Sequence, residues 1–405
     1  MTNLNIILKD NINFKNLNLR FSKQLPIKFE KIFHLIKNDI YKSNKTINVL
    51  DGKFKFNFKI KDLKKFKKFK TIALIGMGGS ILGTQAIYSF FQTKIKKKIY
   101  FFDDINEDKI LNFKRKENIK KVLFIIISKS GNTIETLSNV FSLKILKKNS
   151  KNIIIITEKN NNKLFLLSKK LNLFYVEHKD YIGGRYSVLS EVGIIPAYLM
   201  GLNIFKLRSK TFDYFKSKNK ALLKNTTVKI ANIMNSRKYN NMIFLNYAPE
   251  FEKFLYWYQQ LIAESLGKKN RGFLPVISNA PKDHHSLLQL YLDGPKDKIF
   301  SIFSLQKKSK EKIILSKNIG INSFLNKKEL SKVKNAQKDA LIKSFKKRNI
   351  PYREFKINKI NEEVLGKLFS FFMIETIIVG KLLRINPFDQ PAVEQVKAYT
   401  KKLLR

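Results

Sequence analysis

Cysteine is absent from the 405-residue chain. That excludes a disulfide framework, a thiolate nucleophile and zinc–thiolate sites together, and it leaves the redox compartment undecided. Long apolar runs are also missing. The longest clean ones, residues 122–127 and 153–156, fall far short of the roughly 20 residues a membrane helix needs. Residues 1–10 are Asn-rich, without the basic start and apolar core of a signal peptide. A soluble cytoplasmic protein with no membrane partner is expected. Acid is scarce as well: 31 Asp and Glu stand against 80 Lys and Arg, a net charge of +49. A nucleic-acid partner is one reading of that excess. Joint enrichment in Lys, Asn, Ile and Phe fits compositional drift at tolerant surface positions better, and no specific nucleic-acid partner is expected. The run 61–70 interleaves Lys with Leu63, Phe66 and Phe69, whose spacing of three fits a buried helical stripe beneath a solvated basic face.

What is present is ample core material, 44% hydrophobic and 12% aromatic, enough for two or three domains. Residues 1–50 are read as an N-terminal helical arm. From residue 70 apolar strands alternate with amphipathic helices: strands at 71–76, 98–103, 122–127, 152–157 and 173–176, helices between them. Continuous Ile/Val/Leu strands separated by helices predict a parallel sheet covered on both faces, with ligands beyond the strands' carboxyl ends. After a helical connector near 190–236 a second such unit is expected, with strands at 241–247, 298–303, 312–315 and 352–356 and helices at 250–266, 284–292, 326–348 and 361–383. A last helix should run from 391 to 404. The expected fold class is therefore α/β, with two doubly wound parallel sheets flanked by helices. The expected divisions are 51–189 for the first unit, 190–384 for the connector and the second, and 385–405 for the C-terminal helix.

Two strand-to-helix turns carry ligand-binding chemistry. In Ile125-Ile-Ile-Ser-Lys-Ser-Gly-Asn-Thr-Ile-Glu-Thr136, Ser128, Ser130 and Thr133 offer hydroxyls, Gly131 permits close backbone approach, and the helix start points N–H groups at whatever sits there. An ordinary turn capped by Asn132 or Thr133 would look much the same. Gly76-Met-Gly-Gly-Ser-Ile-Leu-Gly83 has the wrong glycine spacing for a dinucleotide fingerprint, although Asp103 and Asp104 close the next strand. It more economically supplies N–H groups and the Ser80 hydroxyl to a phosphate or a sugar. Farther on, Trp257, Gln260 and Glu264 fall at i, i+3 and i+7 on one helix face, and a carboxylate beside an indole can be partly desolvated. His284 and His285 are adjacent, so on a helix they diverge by about 100° and make a poor metal pair.

Taken in order with Gly183-Gly-Arg-Tyr-Ser-Val-Leu-Ser190, Gln260-Leu-Ile-Ala-Glu-Ser-Leu-Gly-Lys268 and Asn386-Pro-Phe-Asp-Gln-Pro-Ala-Val-Glu-Gln-Val-Lys397, these motifs resemble the glucose-6-phosphate isomerase family and its sugar isomerase domains. The resemblance spans residues 76–397. It implies an aldose–ketose isomerase of glycolysis and gluconeogenesis, without metal or cofactor, acting on a sugar phosphate as a homodimer. By the same resemblance, Glu264 shuttles the proton, Arg185 faces the enediolate, and His285, reached across the dimer interface, opens the ring with Lys397. Gly79, Ser80, Ser128, Lys129, Ser130, Thr133, Glu135, Gln260 and Gln390 would hold the substrate. The chain departs from the family pattern at Ala392 and Val396, where glycine is usual, and at Asn132, where threonine is usual. Alternatives on the same motifs are an isomerase that also accepts mannose 6-phosphate and an inert sugar-phosphate sensor.

Overall fold

The computed structural model describes residues 6–306, 309, 311–315 and 324–404. Among the described residues, ten strands build two five-stranded sheets. Strands β1 (Ile6–Asp10), β2 (Thr71–Ile75), β3 (Lys98–Phe102), β4 (Val122–Ile127), β5 (Ile153–Thr157) and β6 (Phe174–Glu177) come first in the chain. They are followed by β7 (Asn241–Asn246), β8 (Leu274–Asn279), β9 (Lys298–Leu305) and β10 (Tyr352–Ile357).

The first sheet is parallel throughout, in the order β3-β2-β4-β5-β6. Every residue of β4 and of β5 is buried. Their unbroken aliphatic runs are what a strand needs when helices cover both faces. The second sheet runs β1-β10-β9-β7-β8. It is parallel except for β1, which lies antiparallel along β10.

Two expectations are corrected here. Residues 6–10 are a strand of the second sheet rather than part of a helical arm; the helix Gln24–Asp39 follows them. Asp10 is held there by the Lys229 ammonium at 2.6 Å. No strand forms at 312–315, where Lys312 makes only an isolated bridge to Glu329. A strand not expected from the sequence, β8, joins the sheet at its edge beside β7 and carries Pro275 and an exposed Leu274. Both features suit an edge strand, where a missing N–H and an outward apolar side chain are tolerated. The Leu63/Phe66 stripe is buried as expected, with Phe69 partly buried beside it.

Between the two sheets' worth of helices runs Glu362–Leu382, a 21-residue helix buried on nearly every side. Apolar all round, it belongs in a core rather than on a surface. Among the described residues no helix is long and apolar enough to cross a membrane. The most deeply buried acid of this helix, Glu375, meets Arg353 of β10 at 2.6 Å.

Candidate active site

The carboxyl end of β4 opens directly into the hydroxyl-rich turn. Ser128 is buried, and its Oγ shares a 2.9 Å hydrogen bond with Thr133 Oγ1. Thr133 precedes the helix Ile134–Ser142 but spends its hydroxyl on Ser128, so no side chain caps that helix. An uncapped helix start offers its N–H groups and its positive dipole end to an anion. Gly131 has a φ of +62°, and an added Cβ would sit 1.7 Å from Asn162 Oδ1. Glycine is therefore required twice, for the left-handed backbone and for the space. Asn132, the departure from the usual threonine, accepts from the Lys163 amide at 3.1 Å and ties the turn to the next helix. Ser130 is exposed at the mouth, and Glu135 lies half-buried in the first helical turn. Lys129 bends away, donating to the Asp180 carbonyl at 2.7 Å and pairing with Glu158 at 3.5 Å.

The neighbouring turn after β2 locks the site together. A Cβ on Gly79 would lie 2.2 Å from the Gly184 carbonyl carbon, so these two glycine turns touch backbone to backbone. Ser80 is buried in the same turn. Gly78, with a φ of +51°, stands against Gln260, whose Nε2 would be 2.8 Å from a Cβ there. That close approach delivers Arg185, one residue past Gly184, to the helix Glu252–Leu266.

Arg185 is 2% exposed and uses every branch of its guanidinium. Its Nε donates to Ser265 Oγ at 2.8 Å. Its Nη1 donates to Glu264 Oε2 at 3.1 Å and to Gln390 Oε1 at 2.6 Å. Its Nη2 donates to the carbonyls of Pro387 at 2.6 Å and Asp389 at 3.1 Å. The other Glu264 oxygen accepts from Gln260 Nε2 at 2.9 Å. Trp257 lies on the same helix face, but its indole N–H goes to the Arg185 carbonyl at 3.1 Å. The tryptophan thus fixes the arginine, while the carboxylate, 34% exposed, sits against a guanidinium and an amide. The expectation of an indole-lined carboxylate is corrected accordingly.

Three supporting groups were not singled out from the sequence. Ser265 and Tyr186 are buried together, with 2.9 Å between their hydroxyls. Lys268 donates to the carbonyls of Asn386 at 2.5 Å and Asp389 at 2.6 Å and to Asp389 Oδ1 at 2.8 Å. That hydrogen bond holds the Asp389 carboxyl below its ordinary range. Arg185 and Lys268 therefore grip the 386–390 turn from two sides. Glu264, Lys268, Asp389 and Gln390 line a pocket of about 910 Å³ beside it.

His285 and Lys397 are not brought to this cluster within the chain. His285 is exposed on the helix His284–Asp293. Neither neighbour orients it: His284 is bonded to the Tyr247 hydroxyl at 2.7 Å, and Asp283 accepts from the Asn279 amide at 2.7 Å. Burial, with His285 alongside, pushes the His284 imidazole below its ordinary pKa. Lys397 pairs with Glu394 at 2.7 Å on the helix Val393–Leu403, which buries none of its residues. Val396, with the β-carbon that replaces the usual glycine, also faces outward.

Two α/β sheets with an uncapped helix start at the carboxyl end of β4, and a guanidinium–carboxylate pair between Arg185 and Glu264, define a protein of the sugar isomerase fold class. Over its length, 98% of the chain superposes on a hypothetical protein from Thermus thermophilus, covering 100% of it, at a TM-score of 0.81 and 23% identity. A glucose-6-phosphate isomerase from Chlamydia trachomatis matches 94% of the chain and 73% of its own, at a TM-score of 0.67 and 18% identity. A curated relative from Methanococcus maripaludis, named a probable glucose-6-phosphate isomerase, is 36% identical over 348 residues, 82% of this chain and 78% of that one. Residues 60–405 match the phosphoglucose isomerase family, and the chain belongs to it.

Proposed function

We propose that the protein interconverts glucose 6-phosphate and fructose 6-phosphate, in glycolysis and gluconeogenesis, in the cytoplasm. The observation that carries this reading is the contact of Arg185 with Glu264 and Gln390, beside the glycine turn that adjoins the anion seat. Moving a carbonyl between C1 and C2 is redox-neutral: one proton leaves carbon, one returns, and an oxygen bears negative charge between the two. After ring opening, the Glu264 carboxylate takes the proton from the carbon next to the carbonyl, leaving a cis-enediolate. The Arg185 guanidinium offsets the charge on its oxygen, the hydroxyl proton of the enediolate passes to that charged oxygen, and Glu264 returns a proton to the other carbon. Ser80, Ser128, Ser130, Thr133 and the uncapped helix hold the phosphate, with Lys129 and Glu135 shaping the rim, while Gln260 and Gln390 steady the sugar. Broader use of mannose 6-phosphate is not favoured by any contact in the site.

Ring opening is assigned to His285 and Lys397, which requires a second subunit. What supports a homodimer is the outward placement of both groups and the exposed stripe Val393, Val396, Tyr399 and Leu403. A stripe of that spacing is one helix face awaiting a partner. If His285 crosses an isologous interface, Glu264→Gln and His285→Ala chains complement each other. Each variant alone should be nearly inactive. A refolded equimolar mixture should regain about a quarter of wild-type turnover, because half of its dimers carry one intact site of two. A mixture no more active than its components would place His285 in its own subunit's site or outside catalysis.

Gly131→Ala tests the anion seat. The clash with Asn162 and the left-handed backbone should displace the turn, raising KM for fructose 6-phosphate roughly tenfold, the equivalent of about 1.4 kcal/mol of lost binding. Steady-state kinetics with an unchanged KM would mean the phosphate sits elsewhere.

A further inference from the structure

The proposed chemistry leaves unused the feature that dominates the composition, its excess of lysine. The fold does not scatter all of it. In a parallel sheet every helix-to-strand connection lands at the strands' amino ends, opposite the catalytic turns. In the first sheet those connections form one groove of about 1110 Å³. Lys68 and Lys70 enter it ahead of β2, and Lys120 and Lys121 ahead of β4. Lys147 and Lys151 flank the approach to β5, while Lys114 and Lys144 complete the walls.

None of these eight ammonium groups is among the ion pairs of the described residues. The single carboxylate lining the groove, Glu117, is already engaged by Lys98 at 2.6 Å and the Tyr100 hydroxyl at 2.8 Å. Favourable placement of cations at helix C-termini accounts for Lys114, in the last turn of Glu107–Lys116. It does not account for Lys68, Lys70 or Lys151. Eight uncompensated charges in one concave surface exceed what a single phosphate can engage and suit a chain of them. Phe69, half-buried on the wall with the Lys68 ammonium 5.6 Å from its ring centroid, adds an aromatic surface where a base can stack. A flat bilayer does not reach the walls of a groove, whereas a flexible strand follows them.

We infer that this groove binds single-stranded RNA through its phosphate backbone, at the end of the first sheet opposite the active site. The inference is independent of the isomerase chemistry. Its probe is a fluorescently labelled oligouridine of about 20 nucleotides, followed by anisotropy across a salt series. Two variants of equal charge change separate site from bulk charge. One neutralises Lys120, Lys121, Lys147 and Lys151 to Gln, and the other neutralises the exposed Lys23, Lys31, Lys37 and Lys332, outside the groove. The groove variant should bind at least about tenfold more weakly, and its slope of log K against log salt should flatten by up to about 3, at roughly 0.7 for each phosphate no longer neutralised. The outlying variant should stay within about twofold of wild type. Both should keep wild-type melting temperature, and saturating RNA should leave sugar-phosphate turnover unchanged. Equal losses in the two variants would overturn the inference, as would wild-type protein that sediments with phosphatidylserine vesicles but does not bind the RNA.

Discussion

Replacing Glu264 by glutamine should lower kcat for fructose 6-phosphate on the order of 10²–10⁴-fold, the span that a positioned acid–base group supplies, with KM little changed. The amide keeps the shape and still presents an oxygen to Arg185, whose other four hydrogen bonds remain. What it loses is the capacity to accept a proton from carbon. An interaction made only while the proton is in flight shows in kcat and kcat/KM equally and leaves ground-state binding intact. Isothermal titration of a non-reacting sugar-phosphate analogue checks the binding half of this expectation. Turnover within tenfold of wild type would assign the proton to another group.

The second large effect lies away from the chemistry. Glu375→Ala should destabilise the fold by about 3–5 kcal/mol, because it strands the buried Arg353 guanidinium. The pair is sealed: side-chain exposures are 2% and 3%. Tyr258 bridges it, accepting from Arg353 at 2.6 Å and donating to Glu375 at 3.2 Å, and Ser301 Oγ accepts from Arg353 Nε at 3.0 Å. Thermal unfolding should show a fall of roughly 5–10 °C. The double substitution Arg353→Met with Glu375→Leu should recover most of it, since apolar residues of similar volume incur no charge-burial cost. A single variant with unaltered melting temperature would mean that water or a neighbouring acid compensates the arginine. Tyr258 sits on the helix that bears Glu264, so this pair also braces that helix against β10.

Where local pattern and tertiary role agreed, the fold was legible from residues alone. Strand β4 is uninterrupted Val, Leu, Phe and Ile, and β5 is four Ile ahead of Thr157, a pattern that only a strand buried on both faces needs. Strand β8 was hidden because Pro275 and the outward Leu274 break both the propensity and the alternation, and its edge position tolerates both. Strand β1 was hidden by its short length and Asn-rich surroundings. Its strand character comes from the β10 edge it covers, which lies more than 340 residues away in sequence. At 312–315 the opposite happened: local apolar character had no neighbouring strand to pair with.

The site was legible in its parts but not in its assembly. Glu264, Arg185 and the hydroxyl turn came from family resemblance joined to residue chemistry. That Arg185 would reach both Glu264 and the 386–390 turn depends on Gly79 meeting Gly184, a contact between backbones that no side-chain pattern encodes. Lys268 passed unnoticed because one lysine among so many carries no signal until its three acceptors are in place. The last helix was visible as a helix, whereas the exposure of Val393, Val396, Tyr399 and Leu403 along it shows only in the structure.

The most direct measurement is wild-type turnover of fructose 6-phosphate in deuterated water, followed by proton magnetic resonance. If Glu264 carries the proton between carbons through an enediolate, glucose 6-phosphate accumulates and gains solvent deuterium at C2 over successive turnovers. Absence of glucose 6-phosphate, or its formation with no solvent deuterium at C2 after many turnovers, would contradict proton transfer by Glu264.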